Sequence, residues 1–217
     1  MPAADAIPAG MATITLTPAA DPVAIAQWLA DRISAALAST DGPIAITVPG
    51  GRTPFPVLSA LVKHDLPFER VSVWPNDDRM VPEDHPASNL AKIRAVLEPV
   101  GAQIVGLEEG QTPPRFALAL LGMGEDGHIA SLFPNTNPQA TAPARVIRLT
   151  PDPLPPEAPF DRLSMTIPSL AASDAIAFLI TGDAKKREIF EAAAAGQNDL
   201  PVARLLAATD QTVTCFC

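Results

Sequence analysis

The run Phe116-Ala117-Leu118-Ala119-Leu120-Leu121 is apolar at every position and passes directly into Gly122-Met123-Gly124-Glu125-Asp126-Gly127-His128. A short segment without polar alternation fits a strand buried on both faces, which arises where helices cover both sides of a parallel sheet. Gly122, Gly124 and Gly127 then permit tight or left-handed backbone, and His128-Ile129-Ala130-Ser131-Leu132-Phe133 is expected to begin a helix. One of only three histidines in the chain is thereby placed at the carboxyl end of a central strand, where open α/β sheets bind their ligands.

The neighbouring segments agree with such a sheet. Residues 24–38 carry Ile25, Trp28, Leu29, Ile33 and Leu37 at helical spacing. Strand-type segments at 44–48 and 71–74 are followed by helical ones at 55–63 and 88–97, the latter with Ser88 or Asn89 as N-cap. Further strands are expected at 145–149, 162–167, 175–180 and 211–217, with a helix at 183–195. Strand alternating with helix predicts a three-layer α/β/α fold around a mostly parallel, Rossmann-like central sheet. No internal repeat is visible. Residues 1–12 read as a loose N-terminal tail, with no basic region and apolar core of the kind a signal peptide has, and 13–217 as a single domain. Many of the 25 prolines crowd into 150–160, an expected extended surface loop.

Charge narrows the function. A net charge of −9 with no concentrated basic face argues against nucleic acid, while leaving room for a small anionic substrate where a few cations converge. No apolar run reaches the roughly 18 residues of a membrane span. Cys215 and Cys217 flank one residue; adjacent in-strand positions point to opposite faces, so a disulfide is not expected, and two lone thiols make a poor metal site. The expected location is the cytoplasm, with no obligate protein partner evident.

Three further turns sit at the same expected sheet edge. In Val48-Pro49-Gly50-Gly51-Arg52-Thr53-Pro54 a strand passes through two glycines into a helix that opens on proline. Backbone N–H groups freed there, at the positive end of a helix, suit an anion, and Arg52 and Thr53 can add donors. The spacing is neither a nucleotide P-loop nor a dinucleotide turn, which leaves a small phosphate or carboxylate. Asp77-Asp78-Arg79 follows another strand. Lys185 lies in the first turn of a helix, an unfavourable place for a cation unless an anion is bound.

Taken together, Pro49-Gly50-Gly51-Arg52-Thr53-Pro54, the segment 77–89, Leu120 through Pro134, and the stretch from Arg162 to Lys186 resemble the 6-phosphogluconolactonases, in the same order and over most of the chain. The related glucosamine-6-phosphate deaminases share the glycine-rich turn and Asp-Gly-His but are expected to continue with Asn-Glu-Pro where this chain has Ser131-Leu132-Phe133-Pro134. Two departures stand out: the usual Asp-Glu-Arg is Asp77-Asp78-Arg79, and residues 98–116 are shorter than the family's segment, which normally includes an extra helix.

The resemblance implies hydrolysis of 6-phospho-D-glucono-1,5-lactone to 6-phosphogluconate, without cofactor or metal. Opening a lactone needs an activated water, a stabilised carbonyl oxygen and a protonated leaving oxygen. His128 is the residue in these turns suited to be the general base, an unperturbed imidazole titrating near 6.5. Asp126 or Asp77 would orient the imidazole, and Arg79 would hold substrate or the developing oxyanion. The phosphate would lie between Gly50, Gly51, Arg52, Thr53 and Lys185, with Arg162 as a further contact. Ser131 invites a serine-triad reading, but no Gly-x-Ser-x-Gly elbow is present. A sugar-phosphate isomerase or deaminase is the enzyme alternative, and a non-catalytic sugar-phosphate binding protein the other. His64 and His85 need no role.

Overall fold

The structure, a computed structural model, describes residues 5–9, 12–18, 21–156, 158–180 and 184–217. In chain order it contains β1 (Asp5–Ala9), β2 (Ala12–Thr17), α1 (Pro22–Ala38), β3 (Ile44–Val48), α2 (Pro54–Leu61), β4 (Val71–Pro75), β5 (Asp77–Arg79) and α3 (Asn89–Leu97). There follow β6 (Gln103–Ile104), β7 (Leu118–Gly122), β8 (Val146–Leu149), β9 (Arg162–Met165), α4 (Ile167–Ala171), β10 (Ile176–Leu179), α5 (Ala184–Ala194), α6 (Pro201–Ala208) and β11 (Thr212–Phe216).

Among the described residues eight strands form one sheet in the order β1-β2-β11-β10-β7-β3-β4-β6, parallel throughout except for the outermost strand β1. The three-layer expectation holds, and strand geometry accounts for it. Successive side chains leave a strand on opposite sides, so Leu118 and Leu120 of β7 join the core beneath α1, α2 and α3, while Ala119 and Leu121 join the core beneath α4, α5 and α6. In β10, Ala177 and Leu179 face the first set and Ile176 and Phe178 the second. With both faces covered, no position on these strands has water to face, which is why the sequence there lacks polar alternation.

Local signals set the helix starts. Asp21 accepts hydrogen bonds from the N–H groups of Val23 (2.8 Å) and Ala24 (3.0 Å) ahead of Pro22-led α1, satisfying donors that helix geometry leaves orphaned. Helix α1 then buries Ile25, Leu29, Ile33 and Leu37. No helix of the described residues is long and apolar enough to cross a membrane.

Several expectations are corrected. Within the supposed tail 1–12, Asp5–Ala9 pairs antiparallel with β2; the exposed edge of β2 offers unpaired backbone groups that a following or preceding segment can use whatever its own pattern. The strands at 145–149 and 162–167 do not enter the central sheet: β8 and β9 form a separate antiparallel sheet with β5, in the order β5-β9-β8. The expected helix at 128–133 is absent, because Ala130 turns left-handed (φ 49°) and Ile129 bridges back to Leu132. Helices α4 (five residues) and α6 (eight residues) are not among the elements expected from the sequence. Cys215 and Cys217 are free thiols, and being two residues apart they share one face, both packing into the core under α4 to α6.

Candidate functional site

Strands β3, β4 and β6 run out to one side of the sheet and β7, β10 and β11 to the other, so the strand order reverses between β3 and β7. At such a switch point the loops leaving the carboxyl ends diverge to opposite faces and leave a crevice. A cleft of about 430 Å³ opens there, lined among others by Gly50, Gly51 and Thr53 after β3, Asp77 and Arg79 after β4, and Gly124 and His128 after β7.

The turn Gly124–His128 is closed by its own backbone: Gly124 N–H donates to the His128 carbonyl (3.0 Å) and Gly127 N–H to the Gly124 carbonyl (3.1 Å). Gly127 adopts φ 77° with Leu200 packed where a Cβ would stand, so only glycine serves there without strain. The consequence is a close pair, with His128 Nδ1 2.6 Å from Asp126 Oδ1, and Phe133 packed at a tilt of 36° against the imidazole, 4.5 Å between ring centroids. The hydrogen bond to His128 holds the Asp126 carboxyl below the usual carboxylate range. An ionised carboxylate only accepts, so Nδ1 carries the hydrogen and Nε2 is left as the basic nitrogen. Of the two carboxylates considered for orienting the imidazole, Asp126 is the one in contact.

Asp77 has other partners. Ser131 Oγ donates to its Oδ2, and the Asn89 side-chain amide donates to its main-chain oxygen at 3.0 Å. Burial pushes its carboxyl upward, opposed by the Ser131 hydrogen bond and by the charges of Arg79 and Arg162. Asp78 is turned to the start of α3, where its two oxygens accept the N–H groups of Asn89 (2.6 Å) and Leu90 (3.0 Å), a helix cap and not a reacting group. Ser88 completes the cap by accepting from Ala91 N–H at 3.1 Å. Arg79 lines the cleft with Nη1 donating to the Ala87 carbonyl at 2.7 Å. Asn89 lies against Gly50, whose added Cβ would stand 2.0 Å from its Cγ.

The expected anion contacts are only partly brought together. Gly50, Gly51 and Thr53 line the cleft, and Thr53 makes no side-chain hydrogen bond to cap the start of α2. Arg52 is exposed and lines a neighbouring cavity with Pro22, Ile25 and Pro56. Lys185 is not among the lining residues; its Nζ lies 3.4 Å from Glu125 Oε2 at the surface. The cleft is lined instead by the next residue, Lys186. Successive helical residues point about 100° apart, so a shift of one position decides which lysine enters, and residues 181–183, which lead into the helix, lie outside the described residues. Arg162 sits behind the wall, 3% exposed, opposite Arg79 in the β5–β9 register. Its Nη2 donates to the Ala158 carbonyl at 2.7 Å, while Nε and Nη1 have no partner among the described residues. Sequence reasoning missed Lys186, Asn89 and the contact of Ser131 with Asp77. The Asn89 signal was present, since a residue beside an N-cap can reach into a crevice formed by the preceding loop.

Comparison with known proteins accords with this geometry. The family profile of the glucosamine-6-phosphate isomerases/6-phosphogluconolactonases matches residues 19–109 and 95–214. A 6-phosphogluconolactonase of Pseudomonas putida is 35% identical over 195 residues, covering 81% of this chain and 79% of the relative. One from Neisseria meningitidis serogroup A is 32% identical over 201 residues, covering 80% and 85%. The chain belongs to the glucosamine-6-phosphate isomerase/6-phosphogluconolactonase family. In fold it matches the crystal structure of a 6-phosphogluconolactonase from Thermotoga maritima with a TM-score of 0.76 at 24% identity, over 94% of this chain and 98% of that one.

In this family member the glycine before the acid–histidine pair is a steric requirement. A Cβ on Gly124 would stand 2.1 Å from His128 Cε1, 2.2 Å from Nδ1 and 2.8 Å from Asp126 Oδ1. Gly124→Ala is therefore expected to displace the imidazole from the cleft while the core stays intact. Misplacing a reacting group by about 1 Å can cost roughly 10²-fold, so kcat should fall on that scale with little change in melting temperature. An active Gly124→Ala enzyme would show that His128 does not need its observed position.

Proposed function

We propose that this chain hydrolyses 6-phospho-D-glucono-1,5-lactone to 6-phospho-D-gluconate, an enzyme of the oxidative pentose phosphate pathway acting in the cytoplasm. The observation that carries the reading is the Asp126–His128 pair set in a cleft at the switch point of the sheet, in a chain whose relatives are named 6-phosphogluconolactonases. His128 Nε2 takes a proton from a water attacking C1, and Asp126 stabilises the imidazolium that forms. The tetrahedral intermediate expels the ring oxygen, which receives that proton, so water is added across the C1–O bond and His128 is restored. Arg79 and the backbone donors of the glycine turn are the groups available to the negative oxygen.

The phosphate is assigned to the Gly50–Thr53 turn and Lys186; Pro54 and Pro56 carry no N–H, so the backbone donors are those of Gly50 to Thr53 ahead of the uncapped helix. Arg162 adds positive potential from behind Arg79. Asp77 accepts a hydroxyl of the sugar acid. The deciding experiment measures turnover of freshly generated phosphogluconolactone above its spontaneous hydrolysis, alongside ammonia release from glucosamine 6-phosphate. Lactone turnover without ammonia release is expected; ammonia release would favour the isomerase or deaminase reading, and neither would favour a binding protein.

Metal dependence gives a second check. Among the described residues no grouping of three or more His, Cys, Asp or Glu is placed to hold an ion, and His128 Nδ1 is already engaged by Asp126. Treatment with EDTA should leave the lactonase rate unchanged. Loss of rate on chelation, restored by a divalent ion, would refute this.

A further inference from the structure

The loop that supplies the general base also reaches across to a second carboxylate. After His128 the backbone reverses through Ala130, a non-glycine residue at φ 49°, a conformation that costs an alanine on the order of 1 kcal/mol. The reversal takes Ser131 out of the cleft, to 2% exposure, and against Asp77. Its N–H donates to Ser164 Oγ at 3.2 Å, and the Ser164 hydroxyl in turn donates to the Met165 carbonyl at 3.1 Å. The Ser131 hydroxyl hydrogen goes to Asp77 Oδ2, so that oxygen is used as an acceptor.

We propose that Ser131 is a positioning residue for the lactonase reaction, the group that fixes Asp77 in the cleft wall as a hydroxyl acceptor and ties its placement to the loop carrying His128. The inference rests on the lactonase reading, since it gives Asp77 a substrate hydroxyl to receive. The charged and titratable neighbours of Asp77 are Asp78 and Arg79 on its own strand and Arg162 on β9, with His128 and Lys186 lining the same cleft. Burial, the largest influence, and Asp78 oppose ionisation, while the Ser131 bond and the two arginines favour it. Ser131 thus serves through a neighbouring carboxylate and not as the nucleophile its place near His128 suggests.

A double-mutant cycle tests this. Ser131→Ala should lower kcat/KM for phosphogluconolactone about ten- to 100-fold, the scale of a hydrogen bond to a charged group. In an Asp77→Ala background the same substitution should change it less than about twofold, because the partner through which it acts is gone. Additive losses, or an Asp77→Ala enzyme of undiminished activity, would overturn the proposal. Ser131→Cys keeps the volume with only a weak donor, and should show the same non-additivity if the alanine variant does not fold. A measurement without substrate separates this proposal from the lactonase reading. The carboxyl ¹³C titration of Asp77, assigned by its loss in Asp77→Asn, should move to higher pH in Ser131→Ala, and an unmoved titration would dispose of the contact even in an active lactonase.

Discussion

His128→Ala should lower kcat for phosphogluconolactone by about 10²–10⁴-fold, the usual contribution of a positioned general base, with the fold retained. Retention is expected because the turn is held by backbone bonds from Gly124 to His128 and from Gly127 to Gly124, which do not depend on the imidazole. Asp126 is held below the usual carboxylate range by its bond to His128; a carboxyl depressed in this way contributes above its ordinary titration range and loses its contribution only as pH falls through the depressed one. Asp126→Asn should therefore lower the rate, because it leaves His128 without an ionised partner. An alanine variant with full activity after correction for spontaneous hydrolysis would remove His128 from the mechanism.

The second large effect concerns the phosphate. Lys186→Ala should weaken kcat/KM for phosphogluconolactone by about 1.5–3 kcal/mol, or roughly ten- to 150-fold, and should leave unphosphorylated gluconolactone almost unaffected. The two substrates and two enzymes form a thermodynamic cycle in which a general loss of stability cancels. Lys185→Ala, a substitution at the rim where Nζ meets Glu125, should give the smaller phosphate-specific loss. Equal losses on both lactones would sink the assignment of Lys186, and a larger specific loss at Lys185 would return the contact to the residue expected from the sequence.

Much of the fold was readable from local pattern, and the reasons differ by element. The runs 118–121 and 176–179 had to be apolar on both sides because helices cover both faces, and a strand with one face in water would have alternated instead; run 44–48 departs only at Thr47, buried and accepting a hydrogen bond from Asn76. Strands β5, β8 and β9 carry no equivalent signal of which sheet they join. Arg79 and Arg162 are expected from the sequence as separate substrate contacts, yet they face one another in a small antiparallel sheet, a pairing that only tertiary contact determines. The glycine turns announced the site because glycine is needed where backbone or a side chain approaches closely, as Asn89 does at Gly50 and His128 at Gly124. The division of labour between Asp77 and Asp126 was not readable, since it depends on which loop folds over which. The choice between Lys185 and Lys186 turned on the phase of one helix.

The reversal of strand order between β3 and β7 has a bearing on how the protein holds together while it works. Gly50, Asp77, Arg79 and Asn89 all come from the first half of the chain, and Gly124, His128, Ala130 and Lys186 from the second. Beside the cleft the two halves meet along the β3–β7 ladder, with Ile46↔Leu118 and Thr47↔Ala119 in register, and they are joined again where β2 pairs with β11 and β5 with β9. The glycine turn and the base thus lie on opposite banks of the β3–β7 ladder, with Lys186 on the bank of the base, and neither half contains a working set. Turnover therefore reports how the two halves are docked at the cleft, which a measure of secondary structure does not.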